Sequence, residues 1–359
     1  MIILIAQFLL FYILSKFDFA IDFFSGFFEW KKSLHVFLFS KFRFSVGDLI
    51  YIILIMTIIY FLINLLITKK SRFLKYILVS ANIFYFIYQC FWGMLYFQTP
   101  IIEKLDEKKI TDSEIKALTI KYLNLCKTQR EKLKEDKNGI FTVKNEDQLK
   151  TDILEQQKKL PILISQKASV SVSCIKPSLF DAFMNKTGIL GYYNPFTSEA
   201  QYNPNIPSTQ LPFTIAHELS HQLGYAREQE ASFIAYLCGR DSQNPDLRYS
   251  AHLYALKSLI RAVSKSDIRF ANNIISSFSE KMKNDRAYEL KFNLSNEGLI
   301  SDFFGASNDL FLKSNQQEGK ISYSYFVNLL IIYEIQKKEP YYKYDSKNTN
   351  DEKKFIAPE

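Results

Sequence analysis

Charge is nearly missing from the front of this chain: the first hundred residues hold 13 of the 82 Lys, Arg, Asp and Glu side chains among 359 residues. The remainder carries charge at about the density of an ordinary soluble domain, so a single soluble domain is excluded. Cysteine is scarce too. Four cysteines with no Cys-x-x-Cys pair exclude a disulfide scaffold, and an apolar share of 48% excludes a disordered chain. Cys90 falls in an apolar run, while Cys126 and Cys174 are open to two readings, a disulfide in an oxidising compartment or buried thiols like Cys238. There is no internal repeat and no long low-complexity segment. The rear of the chain also lacks a basic stripe, with 36 basic against 33 acidic residues after position 100. Nucleic acid is therefore not an expected partner, whereas nine basic against four acidic residues beside the apolar runs point to a lipid bilayer.

Three apolar segments are present. Leu49 to Thr68 gives twenty uncharged residues, about 30 Å of helix, which matches a hydrocarbon core. A second uncharged run extends from Tyr76 to Ile102 and is rich in Tyr and Trp. The first fifteen residues, MIILIAQFLLFYILS, would reach only about 22 Å, so a span there must run on past Lys16, whose stem can snorkel. A signal peptide would need a basic start and a small-residue cleavage site, and neither is clear. WKKSLHVFLFSKFRFS, from Trp30 to Ser45, alternates aromatic and basic residues as either an interfacial segment or a loop would. Lys69, Lys70, Arg72 and Lys75 crowd the short link between the second and third segments and mark it as cytoplasmic. Three crossings then put the soluble part on the extracytoplasmic side, although the first loop, with Lys16, Lys31, Lys32, Lys41 and Arg43, must also be external.

Residues 101–340 are expected to form the soluble domain and residues 341–359 a flexible tail, with mobility setting in from about Lys337. Thr111 and Glu114 form a capping-box pattern opening a helix, Asn138-Gly139 a turn, and Glu146 to Lys159 a second polar helix. Ala168 to Ile175 alternates as a strand, GILGYYNPFTSEAQYNPN from Gly188 reads as a strand pair, and Ser250 to Ser264 and Ser266 to Lys283 are helical in pattern. Tyr323 to Ile335 is apolar but too short for a bilayer, and is expected to be a buried helix.

The segment that carries chemistry is PFTIAHELSHQLGYAREQEASFIAYLC, from Pro212 to Cys238. His217 and His221 are four residues apart, just over one helical turn, so their imidazoles share a face and can chelate one metal ion. Glu218 beside them can reach a metal-bound water as general base. Pro212 suits the first turn, Ile215, Leu219 and Leu223 supply a core stripe, and Gly224 suits the stop. A catalytic zinc needs a third protein ligand, for which Glu228 and Glu230 compete. Gly224 lets the chain reverse so that Glu228 opens the next helix facing the histidines, while Glu230 lies about 200° away around the axis. Glu228 is the expected ligand and Glu230 the alternative. His252, Tyr225, Arg227 and Tyr254 are candidates for stabilising an oxyanion, although His252 is more readily read as a satisfied helical histidine.

HELSH followed by EQEAS resembles the gluzincin branch of zinc metallopeptidases, which maps Glu228 onto the third-ligand position and Ala231 onto the small residue where the helices cross. Ser232 departs from that pattern, which has an acidic or amide residue to brace a ligand histidine. Gly224 is metzincin-like, but Arg227 occupies that branch's third-histidine position. Over most of the chain, the apolar segments, GILGYYNPFTSEAQYN, PFTIAHELSHQLGYAREQEASF and NDLFLKSNQQEGKISYSYFVNLLI resemble an uncharacterised bacterial membrane family known as domain of unknown function 3810. The resemblances imply an α+β protein of the bacterial inner membrane: about three transmembrane helices over residues 1–100, then a mainly helical zincin-like domain with a small antiparallel sheet. In zincins an edge strand above the metal helix pairs with extended peptide, and GYYNPFTSEAQYN is the candidate here, unless it is simply a structural hairpin.

The expected function is a membrane-anchored zinc metallopeptidase in which His217, His221 and Glu228 hold Zn2+, Glu218 activates the bound water, and a protein or peptide near the membrane surface is cut. An intramembrane protease would carry its histidines inside a hydrophobic run. Two other readings stay open: a catalytically silent zinc-binding scaffold or sensor, and a zinc amidohydrolase acting on envelope material.

Overall fold

The longest uncharged run becomes helix α3, Val46–Thr68, opened by the Ser45 hydroxyl accepting from the Asp48 amide and closed by Lys69 at φ +52°. Helix α4, Ser71–Phe91, returns beside it. Both are long and apolar enough to cross a membrane and mark the chain as membrane-associated. The computed structural model describes residues 2–105, 109–165, 167–170, 174–298, 301–302, 305 and 323–336. The expected flexible tail and all of NDLFLKSNQQEGKIS lie outside these residues.

The amino-terminal segment differs from expectation. Helix α1, Ile2–Leu14, does not run on past Lys16; the chain breaks there and helix α2, Asp18–Phe39, leaves at a bend of 104°. Ser15 and Lys16 close α1 onto the carbonyls of Tyr12 and Ile13, and Lys16 rests over the Tyr12 ring. The segment from Trp30 is also mostly helix, and Lys31 and Lys32 within it are buried against the rest of the protein.

After Phe91 the chain tightens into 3-10 turns at Gly93–Phe97 and Ile101–Lys104. The capping box at Thr111 opens α5, Asp112–Arg130, with both reciprocal bonds made. The turn at Asn138-Gly139 leads to α6, Glu146–Gln157, capped by Asn145. The strand pattern from Ala168 resolves later than expected, as β1, Ile175–Pro177, because these residues meet the edge of the hairpin; residues 171–173 lie outside the described set. Helix α7, Asp181–Thr187, then carries the chain to β2, Gly191–Asn194, and β3, Glu199–Tyr202. The strand order is β1-β3-β2. The hairpin is antiparallel, but β1 is parallel to β3 because α7 intervenes, so the sheet is mixed and not antiparallel throughout.

Helices α8, Leu211–Leu223, and α9, Glu228–Arg240, form a tight pair under the sheet. α9 is buried on all sides, with Phe233, Ile234, Ala235, Tyr236 and Cys238 fully inaccessible. Around it pack α5, α10 (Pro245–Val263) and an apolar helix α13 (Tyr323–Gln336), which is part of the core. The expected helix from Ser266 to Lys283 is two, α11 (Ile268–Ser276) and α12 (Glu280–Asn296). Ser276 and Ser277 bond back to the Asn273 carbonyl and Ser279 caps the next helix, a local alternative to continuation. All four cysteines are free thiols, so Cys126 and Cys174 are not joined.

The sheet is fastened to the ends of α3 and α4. The buried Glu199 carboxylate accepts from the Val46 amide at 3.2 Å and the Gly47 amide at 2.5 Å, at the positive end of α3, and pairs with Lys176. Asp48 accepts from Leu179 N, the Ser178 hydroxyl and the Tyr192 hydroxyl. At the hairpin tip, Phe196 lies edge-on to Tyr51 of α3 and Phe84 of α4, at 6.3 and 5.6 Å between centroids. Those positions lie one to two turns inside the helix ends, so the sheet sits at the mouth of the membrane hairpin.

Deep in the helical layer, Arg130, fully buried, forks onto Asp285 at 2.6 and 3.1 Å, and Asp285 also takes the Phe141 amide and the Tyr249 hydroxyl. Asp285→Ala leaves the buried Arg130 with the part-exposed Glu135, at 3.2 Å, as its remaining charge partner and takes the acceptor from the Phe141 amide and the Tyr249 hydroxyl, so it is expected to cost about 3 kcal/mol, read as a lowered midpoint of thermal or denaturant unfolding.

Candidate metal centre

Helix α8 starts where Pro212 needs no amide partner and where the Ser250 hydroxyl accepts from Phe213 N at 3.1 Å. It stops at Gly224, whose φ of +109° is left-handed; a side chain there would also meet the Phe28 ring at 2.9 Å. The chain therefore turns at once, and Glu228 becomes the first residue of α9, opposite the two histidines.

His217 and His221 present perpendicular rings with centroids 4.7 Å apart. Nε2 of His217 lies 3.1 Å from one Glu228 oxygen and Nε2 of His221 lies 3.5 Å from the other. One ligand atom from each of the three residues falls within 4.8 Å of the others, the one such group among the described residues. The far nitrogens are both engaged. His221 Nδ1 donates to the Tyr225 carbonyl at 2.6 Å, which leaves Nε2 as the basic nitrogen of the neutral ring. His217 Nδ1 is 3.1 Å from the Ser232 hydroxyl, which accepts from the Tyr254 hydroxyl at 3.1 Å. Ser232, the departure from the gluzincin pattern, thus occupies the bracing position with Tyr254 behind it.

Glu218 is buried beside this group, and its Oε2 makes no hydrogen bond. It lies beneath β2 at Gly191, where a side chain would come within 2.7 Å of the carboxylate, so glycine is required for the strand to approach. Burial pushes the Glu218 carboxyl up to about 8, opposed by His221 and reinforced by the charge of Glu228. Burial works against the charged forms of Glu228 and His221 as well, but each holds the other charged, so Glu228 sits well below the usual carboxylate range and His221 above the usual imidazole range. His217 is lowered by burial despite Glu228. Without a cation the cluster is held together by the His221–Glu228 ion pair, and two imidazole nitrogens and a carboxylate converging on one point are a donor set that could hold a divalent ion in place of the proton.

The other sequence candidates lie elsewhere. Glu230 points away, accepting from the Ile101 amide at 2.7 Å and pairing with Arg227 at 3.5 Å, and burial raises its pKa. Arg227 also donates to the Tyr96 carbonyl, and the Tyr225 hydroxyl donates to the Ile164 carbonyl. His252 lines a separate cavity of about 580 Å³ with Arg240, Arg248 and Gln129, not the metal group, so it is not placed to stabilise an oxyanion there.

Residues from the apolar front complete the surroundings. Trp92 stands edge-on to His221 at 5.7 Å and packs on Tyr193 at 4.6 Å; Phe28 and Tyr96 join them in one buried cluster. These were not legible as site residues, because aromatic residues at the end of an apolar run read equally well as an interfacial belt.

The model of the family described as "Protein of unknown function (DUF3810)" matches residues 23–331. No curated protein and no solved structure matches the chain. A membrane-associated, mainly helical protein with a small mixed sheet and a His-His-Glu cluster on the helices beneath it is thereby placed: the chain belongs to the DUF3810 family.

The burial of His252 supplies a test of its own. Burial, with Arg240 and Arg248, lowers its pKa to about 4. The unfolded chain takes up the proton first, near pH 6.5, so the stabilisation is complete above that value and is lost as pH falls toward 4. His252→Gln should remove about 3 kcal/mol of this acid sensitivity, seen as a shallower fall of unfolding midpoint across that window.

Proposed function

We propose that the chain is a membrane-anchored zinc-dependent metallopeptidase that hydrolyses a protein or peptide substrate at the membrane surface. The observation that carries the reading is the convergence of His217 Nε2, His221 Nε2 and the Glu228 carboxylate beside a buried Glu218 with one unengaged oxygen. Zinc held by the three side chains would supply a Lewis acid that polarises a carbonyl and makes water acidic near neutral pH.

The chain's own residues divide the remaining work. Glu218, ionised when a cation is bound beside it, takes the proton from the attacking water as the C–O bond forms and then delivers it to the amide nitrogen, after which the C–N bond breaks and the amine leaves. Ser232 and Tyr254 fix the His217 ring, and the Tyr225 carbonyl fixes the His221 tautomer. The edge strand β2 passes directly over Glu218, where extended peptide could add as a further strand. The basic link at Lys69, Lys70, Arg72 and Lys75 supports an inner-membrane orientation with the site on the extracytoplasmic side. Lys31 and Lys32, which weigh against that orientation when counted as loop charges, are bonded to the carbonyls of Pro195 and Ala168.

The test uses the full chain in detergent or lipid, because Trp92, Tyr96 and Phe28 surround the site. Elemental analysis should give one zinc per chain for the wild type, Glu218→Gln and Glu230→Ala, and little for His217→Ala or Glu228→Ala. Glu218→Gln should lower turnover of a peptide library by roughly 10²–10⁴-fold while keeping the metal. Zinc loss on Glu230→Ala alone, or a metal-free folded wild type, would overturn the assignment.

A weaker effect is expected one contact further out. Ser232→Ala should reduce zinc affinity by roughly 10–100-fold, measured by competition with a chromogenic chelator.

A further inference from the structure

We propose that α2 is an interfacial helix, lying flat at the lipid headgroups as a plate between the bilayer and the site, and not the second half of a bent span. The inference is independent of what the site does.

Its direction is the first argument. Ile3 and Gln7 of α1 share a groove with Val79 and Ile83 of α4, and Phe11 meets Phe86 at 5.6 Å and Tyr85 at 6.4 Å. α1 therefore runs along α4, a helix long and apolar enough to cross the membrane, and α2 turns 104° from it.

The second argument is the division of the α2 surface. Ala20, Phe24, Phe28, Lys31 and Lys32 form an inner face that is almost inaccessible. Phe19, Phe23, Trp30 and Phe37 form an outer face and are 62–70% exposed. Asp18, Asp22, Glu29 and Ser33, spaced by four, seven and four residues, follow one another along a third flank. Upright in the bilayer, Asp18 and Asp22 would be carried into hydrocarbon at a cost of a few kcal/mol per carboxylate, about 2.5–3.5 at the centre, whereas Glu29 is paired with Lys32 at 2.6 Å. Flat at the interface, the flank stays at headgroup depth while the aromatic face meets acyl chains.

The inner face cannot be turned to lipid, because it is fixed to the domain. Lys31 Nζ donates to the Pro195 carbonyl and Lys32 Nζ to the Ala168 carbonyl, both at 2.8 Å. Phe28 packs on Trp92 and Tyr193 and lies against Gly224 at the end of the histidine helix. The occupant of the outer face is thus the bilayer that α3 and α4 enter beside it.

The chain carries its own probe, since Trp30 is exposed on the outer face and the other tryptophan, Trp92, is buried. The full chain would be placed in phosphatidylethanolamine–phosphatidylglycerol vesicles containing lipids brominated either near the headgroup or near the chain end. Trp30 quenching is obtained by difference from Trp30→Phe. Phe19→Trp and Phe37→Trp in that background report positions about 27 Å apart along the helix. All three should be quenched more strongly by the shallow bromines, and to similar extents. Depth that changes steadily from Phe19 to Phe37 would make α2 a span, and no quenching at any position would leave the face in water or against protein; either result overturns the proposal.

Discussion

The Glu199 carboxylate is the joint on which the molecule depends. It is inaccessible to solvent, and it satisfies the first amides of α3 and the Lys176 ammonium together. A buried carboxylate is costly unless its lone pairs are engaged, and here the donors come from two parts of the chain that charge density separates. Their shared acceptor sets the height of β3 over the membrane hairpin. Through β3 it sets the position of β2, and through Gly191 the ceiling above Glu218.

This arrangement changes what the front end is for. An apolar leader followed by an independent catalytic unit would leave few polar contacts across the boundary. Instead, Lys31, Lys32 and Lys176 each donate to a carbonyl across it, and Trp92 reaches His221. The match to the DUF3810 family likewise begins at residue 23, inside α2, and continues to residue 331. The site is built by both parts, and the family's unit includes the membrane helices.

Local features were the legible ones. The span from Asp48 to Lys69, the capping box at Thr111 and the hairpin around Pro195 depend on neighbours in sequence, and all three stand where the pattern put them. The grouping of His217, His221 and Glu228 follows from helical spacing and one left-handed glycine, again local. What could not be read depended on distant partners. Lys31 and Lys32 look like headgroup ligands until Pro195 and Ala168 are seen beside them, and β1 acquires its parallel register only from the path through α7. The pairing of Ser232 with Tyr254 was hidden because a serine in place of an acid reads as a loss, and only packing of α10 on α9 supplies the second hydroxyl.

The ring of Phe196, wedged between Tyr51 and Phe84, has a consequence for biosynthesis. Its groove is made by α3 and α4, which leave the ribosome about a hundred residues earlier. The wedge needs both rings in place, so the tip of the sheet can seat only where α3 and α4 lie side by side, and both helices are made before it. A chain in which those two helices stayed apart would leave Phe196 without its aromatic partners and the sheet that packs on the histidine helix without one of its fastenings.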